Sequence, residues 1–457
     1  MMASLEDDSM LKMGPNAMRM SAAVLLFMML PLGGVAQRKK PAPLVVISID
    51  GLRGDTVPHA DEHGLKIPAL RAFLKEGTWV EGVTPAIPAV TYPNHTTMIT
   101  GVWPAEHGIY ENSVLNPEHP HSGQLNENFS AIKVETIFQA AHKAGLKTAA
   151  VGWPVTLGAP IDYNIAEDAG DEKTDKPDGP PYNPPDLLAQ LQVPASDKDD
   201  GKVIQTIAIL QKFKPDVLFL HFNELDHQEH LRGPFSPQAN ETLETIDEQV
   251  AQVEKAALAV NPATRIAIVS DHGFEPVNHV GIDLDALFVE NGLLVYDHGK
   301  TVKTWTAVPW GAGGGTSFIV LHDPKDPASV EKVRAVLNQA KADPKNGIGR
   351  AYEHDELVKL GGFQDASFLV MYTDEYKMGG GHARDPRGDT TIGLYGGQHG
   401  YLPSSPLMRA SFMMKGKGIA AGRSLPVIDM RQIAPTFAEM IGAQLPAAKH
   451  KAVHYQP

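Results

Sequence analysis

The fold follows from Leu44-Val45-Val46-Ile47-Ser48-Ile49, an apolar and mostly β-branched run that leads directly into Asp50-Gly51. Two further runs have the same form: residues 217–222 lead toward Asp226, and residues 265–269 lead to Asp271. Continuous apolar runs of this length are typical of strands buried on both faces, as in a parallel sheet covered by helices. Such sheets bind ligands at the carboxyl ends of their strands. The pattern predicts an α/β fold with acidic side chains gathered at one edge.

Helical segments alternate with these runs, which supports the α/β architecture. After Ser236-Pro237, apolar residues recur at spacings of three and four until Asn261-Pro262 ends the pattern. A second helix is predicted over residues 134–144, closed by Gly145.

Two regions interrupt the alternation. Residues 159–202 are crowded with Pro, Asp, Gly and Lys, and we predict a long surface loop near the site. Residues 274–396 form a second α/β piece, with a strand over 317–321 and a helix around 330–342. Because this piece separates Asp271-His272 from His399, we predict a subdomain at about 275–395, inserted within one catalytic domain that spans 37–457.

Composition excludes several functions. The chain has 457 residues, 42% of them hydrophobic, which suffices for one large domain or two ordinary ones. The net charge of −14 argues against a nucleic-acid polymer as partner, although a small phosphate ester held by bound cations stays possible. The chain has no cysteine, which excludes disulfides, thiol catalysis and cysteine-ligated zinc.

The N-terminus has the pattern of a signal peptide. Lys12 and Arg19 precede an apolar run over 22–32, and Gly34-Val35-Ala36 offers a small-x-small cleavage pattern. We therefore predict a signal peptide over 1–36, cleavage near Ala36, and a periplasmic or secreted protein. The apolar run is too short for a comfortable membrane span, so none is expected after cleavage; an uncleaved anchor is the alternative.

Carboxylates and imidazoles recur at the predicted strand ends. Asp226 and His230 are four residues apart, which places both on one face of a helical turn. The other candidates are Asp50, the adjacent pair Asp271-His272, and His399, which is surrounded by glycines. Six such groups suffice for two divalent ions, zinc or a similar metal.

Thr91 begins the segment Thr-Tyr-Pro-Asn-His-Thr-Thr-Met-Ile-Thr-Gly. Pro93 fits a first helical turn and Gly101 a C-terminal stop, so Thr91 is expected where free backbone N–H groups favour an anion. A coordinated metal lowers the pKa of a hydroxyl enough to make it a nucleophile. A capping role alone is the other interpretation, and a residue can both cap and attack.

The ordered set of motifs from about Pro43 to Pro446 resembles the nucleotide pyrophosphatase/phosphodiesterase family of the alkaline phosphatase superfamily. The motifs are Ser48-Ile49-Asp50-Gly51-Leu52-Arg53, Thr91-Tyr92-Pro93-Asn94-His95, Thr100-Gly101, Pro104-Ala105-Glu106-His107-Gly108-Ile109, Glu224-Leu225-Asp226, His230, Gly233-Pro234, Ser270-Asp271-His272-Gly273 and His399-Gly400-Tyr401. The resemblance implies a three-layer sandwich with a central, mostly parallel sheet and an inserted smaller α/β region.

The resemblance also implies roles for individual residues. One zinc would be held by Asp226, His230 and His399, and the other by Asp50, Asp271 and His272. Thr91 would contact the second zinc and form a phospho-threonine intermediate. Asn112 matches an oxyanion-stabilising asparagine, although a turn role is the plainer interpretation of that residue taken alone. Tyr92 would stack on a substrate group. Manganese or another divalent ion is the alternative metal.

The chain departs from the family where substrate is selected. Leu225 replaces a proline, Val155 replaces a glycine after Trp153-Pro154, and His221 stands where an aromatic residue is common. We expect a small phosphodiester or nucleotide substrate. A phosphomonoesterase, a phosphonate hydrolase and a non-catalytic zinc-binding envelope protein are the alternatives. Thr91-Tyr92-Pro93-Asn94 excludes the sulfatase motif.

Overall fold

The computed structural model describes residues 40–120, 122–167, 182–297, 301–311, 314–379 and 396–457. The predicted signal peptide, 1–36, lies outside these residues. From Pro41 to Pro457 the chain forms one compact unit. In the described part of the chain, no helix is long and apolar enough to cross a membrane.

Strands are numbered in chain order. They are β1 (Leu44–Ile49), β2 (Gly77–Val80), β3 (Val83–Thr84), β4 (Thr148–Val151), β5 (Tyr163–Ile165), β6 (Tyr182–Asn183), β7 (Val217–Phe222), β8 (Arg265–Val269), β9 (Glu275–Val277), β10 (His279–Val280), β11 (Leu294–Asp297), β12 (Thr301–Trp305), β13 (Ala307–Trp310), β14 (Thr316–Leu321), β15 (Ile348–Glu353), β16 (Phe368–Tyr372), β17 (Tyr376–Lys377), β18 (Gly396–Gln398), β19 (Phe412–Lys415), β20 (Arg423–Leu425) and β21 (Ile428–Asp429).

Helices are numbered in the same way. They are α1 (Pro68–Glu76), α2 (Thr91–Thr100), α3 (Pro104–His107), α4 (Ile137–Lys143), α5 (Leu187–Leu191), α6 (Asp199–Phe213), α7 (Glu224–Arg232), α8 (Pro237–Val260), α9 (Leu284–Glu290), α10 (Pro327–Lys341), α11 (His354–Lys359) and α12 (Ile433–Ile441).

The central sheet has, among the described residues, nine strands in the order β20-β2-β19-β8-β1-β7-β4-β5-β6. The three apolar runs predicted as buried strands lie side by side as β8, β1 and β7, and β1 pairs in parallel with both neighbours. Pairs β4–β7 and β4–β5 are also parallel, whereas β19 is antiparallel to β8 and β2. The sheet is therefore mostly parallel, as predicted.

Helices cover both faces of this sheet, which gives three layers. Along β1, Leu44 and Val46 face a core shared with α2, α4 and α12. The alternate residues Val45, Ile47 and Ile49 face a second core shared with α1, α6 and α8. Burial on both faces explains why β1 is apolar at nearly every position rather than at alternate ones.

The region between β8 and β18 contains a second, smaller sheet. Strands β13, β14, β16 and β15 pair antiparallel in that order, and α9 and α10 pack against one face through Phe288, Val333 and Leu337. The predicted strand at 317–321 and helix at 330–342 correspond to β14 and α10. Both this region and the central sheet lie within the one compact unit.

The prediction of a long surface loop over 159–202 is wrong for its described part. Residues 163–165 form β5 and residues 182–183 form β6, which extend the central sheet, and α5 follows. Strands of two or three residues are too short to show an alternating pattern in the sequence. The predicted helix over 134–144 is observed as the shorter α4.

Candidate metal centre and nucleophile

The six predicted metal-ligand residues all lie at the carboxyl edge of the central sheet or in segments beside it. Asp50 directly follows β1, and Asp271 and His272 follow β8. Asp226 and His230 lie on α7, which begins two residues after β7. His399 directly follows β18, which pairs with β9.

The first group of potential ligands consists of Asp50, Asp271 and His272, and all three are buried. His272 Nε2 lies 3.0 Å from Asp271 Oδ2 and 3.3 Å from Asp50 Oδ1. The other oxygen of Asp271, Oδ1, accepts the backbone N–H of Gly51 at 3.2 Å. Gly51 has φ +76°, so the turn after β1 that presents this N–H suits glycine.

The second group consists of Asp226, His272 and His399. His399 Nε2 lies 3.6 Å from Asp226 Oδ1, and His230 Nε2 lies 3.4 Å from Asp226 Oδ2. The His272 and His399 rings stack at 3.8 Å, which joins the two groups. Geometry alone thus puts His272 beside both groups, whereas the resemblance places His230 with Asp226 and His399.

The three histidines share one orientation. The Nδ1 atom of each faces a backbone carbonyl: Gly397 for His230 at 3.3 Å, Gly273 for His272 at 3.2 Å, and Ala89 for His399 at 3.0 Å. A carbonyl can only accept, so each Nδ1 carries a proton, and in the neutral form of each ring Nε2 is left as an electron-pair donor. Ligating histidines are held in this way by backbone or carboxylate partners.

Several polar atoms that face one another here are buried without a hydrogen-bond partner. They are Asp50 Oδ1, Asp226 Oδ1, Asp271 Oδ2 and His272 Nε2. Burying such atoms without a partner is costly, and three carboxylate oxygens close together repel one another. A bound divalent cation removes both penalties, so the donor set fits zinc or a similar ion.

The buried carboxylates and imidazoles of the centre shift one another's pKa values. Burial, followed by the charges of Asp271 and Asp226, raises the pKa of Asp50 well above its ordinary value. Burial also raises the pKa of Asp226. Burial and the neighbouring His272 lower the pKa of His399 well below its ordinary value, so this ring is neutral and able to ligate a metal at pH 7.

Thr91 is the first residue of α2, as predicted, and Gly101 ends the helix with φ +74°. No hydrogen bond joins the Thr91 hydroxyl to another of the described residues. The Thr91 carbonyl accepts from His95 Nδ1 at 2.9 Å, and the same nitrogen lies 3.7 Å from Asp271 Oδ2. The nucleophile candidate and the metal-ligand candidates are therefore linked through a single buried imidazole.

Asn112 lies beside Thr91. Its Oδ1 accepts the backbone N–H of Tyr92 at 2.8 Å, which leaves the Nδ2 amide as a hydrogen-bond donor next to α2. Tyr92 is only 4% exposed and packs against Ile109 and Val155. Little of the Tyr92 ring is accessible for stacking on a substrate, and its binding role stays a prediction.

Sequence reasoning missed His221 and Asp199 as parts of this site. His221 is fully buried in β7, and its Nε2 lies 3.1 Å from Asp50 Oδ2. Asp199, at the start of α6, accepts the backbone N–H groups of Asn223 and Glu224 at the start of α7. The only signal for His221 was its departure from the aromatic residue common at this position; for Asp199 there was none.

A family model decides the classification. The model for type I phosphodiesterase/nucleotide pyrophosphatase matches residues 44–401, a range that runs from β1 through the last metal-ligand candidate. The chain belongs to this family. The resemblance inferred from the motifs is thereby confirmed.

Curated relatives agree with this assignment. Human ectonucleotide pyrophosphatase/phosphodiesterase family member 1 is 26% identical over 241 residues, which are 51% of this chain and 24% of that protein. Rat family member 7 is 22% identical over 446 residues, 94% of this chain and 90% of that protein. The chain spans only 24% to 38% of the length of the first two relatives it matches.

Solved structures of the family have the same fold. Human ectonucleotide pyrophosphatase/phosphodiesterase 5 superposes with a TM-score of 0.65 at 18% identity, covering 90% of this chain and 97% of that one. The murine protein, as an inactive threonine-to-alanine variant in complex with AMP, gives the same values. The predicted alkaline-phosphatase-like α/β fold is confirmed.

Proposed function

We propose that this protein is a two-zinc hydrolase that cleaves phosphodiester or pyrophosphate bonds in nucleotide-type substrates through a phospho-threonine intermediate. The observation that carries the proposal is the set of buried, unpartnered carboxylate and imidazole atoms, which His95 links to Thr91. The family of the chain supports the reaction class, and the complex of the murine neighbour with AMP supports a nucleotide substrate.

The residues divide between two metal sites. Asp50, Asp271 and His272 would hold one zinc, and Asp226, His230 and His399 the other. When bound, the two ions supply positive charge for the phosphoryl oxygens and lower the pKa of a coordinated hydroxyl or water. Manganese or another divalent ion is the alternative, since carboxylate and imidazole donors also bind metals other than zinc.

The covalent step belongs to Thr91. Its Oγ forms a bond to phosphorus as the bond from phosphorus to the leaving oxygen breaks, and the hydroxyl proton passes to solvent. In the second step a water oxygen bonds to the same phosphorus as the bond from phosphorus to Thr91 Oγ breaks; a proton returns to Oγ, and a phosphomonoester is released. The Nδ2 group of Asn112 would donate to a phosphoryl oxygen that gains charge in both steps.

Hydrolysis of bis-para-nitrophenyl phosphate by the purified, zinc-loaded protein tests the proposal directly. We expect nitrophenol release that a chelator abolishes and added zinc restores. The substrate class is then narrowed with nucleotides, dinucleotides, glycerophosphodiesters and lipid headgroups. If a folded, zinc-loaded protein hydrolyses none of these, the enzymatic proposal fails and a non-catalytic zinc-binding protein remains.

We also propose that the protein is exported after cleavage near Ala36, to the periplasm or the cell exterior. N-terminal sequencing of the secreted protein is the test. An intact N-terminus recovered in the membrane fraction would support the anchor instead.

A further inference from the structure

His221 contacts the carboxylate of Asp50, one of the candidate metal ligands. Strands β1 and β7 pair in parallel, with Ser48 opposite His221. The next step of the same ladder is the hydrogen bond from the Asp50 N–H to the Phe222 carbonyl, at 2.9 Å. This register brings the imidazole of a central strand to the carboxylate that ends its neighbour, and His221 is 0% exposed.

The two oxygens of Asp50 have different environments. Oδ2 lies 3.1 Å from His221 Nε2. Oδ1 is buried, has no hydrogen-bond partner, and lies 3.3 Å from His272 Nε2. Oδ2 is therefore held by His221, while Oδ1 faces the remaining ligand candidates. Ligating carboxylates are commonly fixed in this way by a hydrogen bond to the non-ligating oxygen.

The imidazole of His221 is itself held on its other sides. Its Nδ1 lies 3.1 Å from the carbonyl of Gly152, the residue after β4, and 3.7 Å from Glu167 Oε1. A carbonyl and a carboxylate both only accept, so a neutral ring donates to one of them at a time, and the Nε2–H tautomer is the one that donates to Asp50. The ring packs edge-on against His95, with centroids 4.4 Å apart. Because three neighbouring elements fix the ring, it has little freedom to turn away from Asp50.

We infer that His221 is a positioning residue for the metal site of Asp50, Asp271 and His272, which it serves by orienting the Asp50 carboxylate. The inference rests on the proposed function only through the presence of that metal. His221 would contact neither substrate nor metal. It replaces, with a hydrogen-bonding group, the aromatic side chain that the family resemblance led us to expect at this position.

The test is zinc titration of the metal-free protein, followed calorimetrically, for wild type and His221→Phe. The phenyl ring keeps most of the packing and removes the hydrogen bond to Asp50. We expect affinity at one of the two sites to fall about 10- to 100-fold, with the other site unchanged. Excess zinc should restore the turnover number of His221→Phe for diester hydrolysis, and its KM should equal that of wild type.

A matched control separates positioning from general damage to the core. Phe138→Leu alters a fully buried ring of α4 that packs against β7 through Phe219, away from the ligand candidates. It should lower the melting temperature of the metal-free protein and leave both zinc affinities unchanged. His221→Gln keeps an amide N–H that can donate to Asp50 but holds it less rigidly than the imidazole, and it should bind zinc with an intermediate affinity. This variant also provides the measurement if His221→Phe does not fold.

The outcomes are distinct. Wild-type zinc affinity at both sites in a folded His221 variant would overturn the positioning role and leave the proposed function intact. Failure of the wild-type protein to bind zinc would remove the metal centre, and with it both the proposed function and this inference.

Discussion

Asp199 Oδ2 accepts the backbone N–H of Glu224 at 3.1 Å, so a side chain of α6 caps the N-terminus of α7. Asn223, the residue that precedes α7, makes no side-chain cap. Its Oδ1 instead accepts from Lys202 Nζ at 3.1 Å, and Lys202 forms a buried ion pair with Asp199 at 3.5 Å. Because α7 carries Asp226 and His230, this buried network fixes the position of two metal-ligand candidates.

We predict that Asp199→Ala destabilises the protein by about 3 kcal/mol or more, since it removes a cap and leaves the Lys202 charge buried without its partner. Zinc binding should weaken as well. The double variant Asp199→Ala/Lys202→Met should regain stability but not zinc affinity. Urea unfolding and zinc titration measure the two effects.

Asp326→Ala is the control for that prediction. Asp326 caps α10 through the N–H groups of Ala328 and Ser329, and α10 carries no ligand candidate. Its loss should cost about 1 kcal/mol and leave zinc binding unchanged. Equal zinc affinity in the Asp199 and Asp326 variants would contradict a specific role for Asp199.

The parts of the site that sequence could predict are the local ones. Asp226 and His230 are one helical turn apart, and Asp50 follows an apolar strand, so both patterns are contained in short stretches of chain. The helix α8 was predicted almost to its ends because Ser236-Pro237 and Asn261-Pro262 are strong boundary signals.

The parts that sequence could not predict depend on tertiary contacts. The hydrogen bond of His221 with Asp50 joins residues 171 positions apart, and it exists only because β1 and β7 are neighbours in the sheet. Asp199 lies in a stretch whose composition favours a loop, yet it begins α6 and caps another helix. Composition and periodicity carry no information about which elements meet in space.

We predict that removal of metal lowers the thermal stability of the protein, because a ligand that binds only the folded state stabilises it by mass action. At a free zinc concentration about 100-fold above the dissociation constant, the gain is about 2.7 kcal/mol.

Elemental analysis should find about two zinc ions per chain in the active protein. Asp271→Asn should lose metal, whereas Asp323→Asn, at an exposed position, should not. Less than about half an equivalent of metal in an active preparation would contradict the two-metal site.

His107 gives the folded protein a defined pH dependence. Its Nδ1 accepts the backbone N–H of Ile109 at 3.1 Å, its Nε2 lies 3.1 Å from Thr97 Oγ1, and burial lowers its pKa from 6.5 to about 3. Between these values the unfolded chain binds a proton that the folded chain does not. The free energy of unfolding should therefore fall as pH is lowered through this window, by about 1.4 kcal/mol per pH unit from this residue. The free energy of unfolding is measured by urea titration at several pH values. Plotted against pH, it should have a shallower slope for His107→Gln than for wild type. Equal slopes would show that the residue does not titrate on unfolding.

Thr91→Ala should lower the rate of diester hydrolysis at least about 100-fold while zinc content stays near that of wild type, because it removes the attacking oxygen alone. Thr91→Ser retains a hydroxyl and should keep part of the activity. Thr100→Ala is the matched control, since it removes a buried hydroxyl at the other end of α2 that donates to the Thr96 carbonyl. This control should lose about 1 kcal/mol of stability and no activity. Full activity in Thr91→Ala would mean that water attacks phosphorus directly.

The preferred ester class follows from the charges around Thr91. A monoester carries an additional negative oxygen, which a monoesterase meets with a further cation or an arginine. No arginine or lysine lies between Thr84 and Gly101, and Lys202 is engaged by Asp199 and Asn223. We therefore expect bis-para-nitrophenyl phosphate and the para-nitrophenyl ester of thymidine monophosphate to be hydrolysed with a higher kcat/KM than para-nitrophenyl phosphate in the same buffer. Binding energy from the nucleoside should make the thymidine ester the best of the three. A clear preference for the monoester would overturn the diesterase assignment, and it would leave the fold and the metal centre intact.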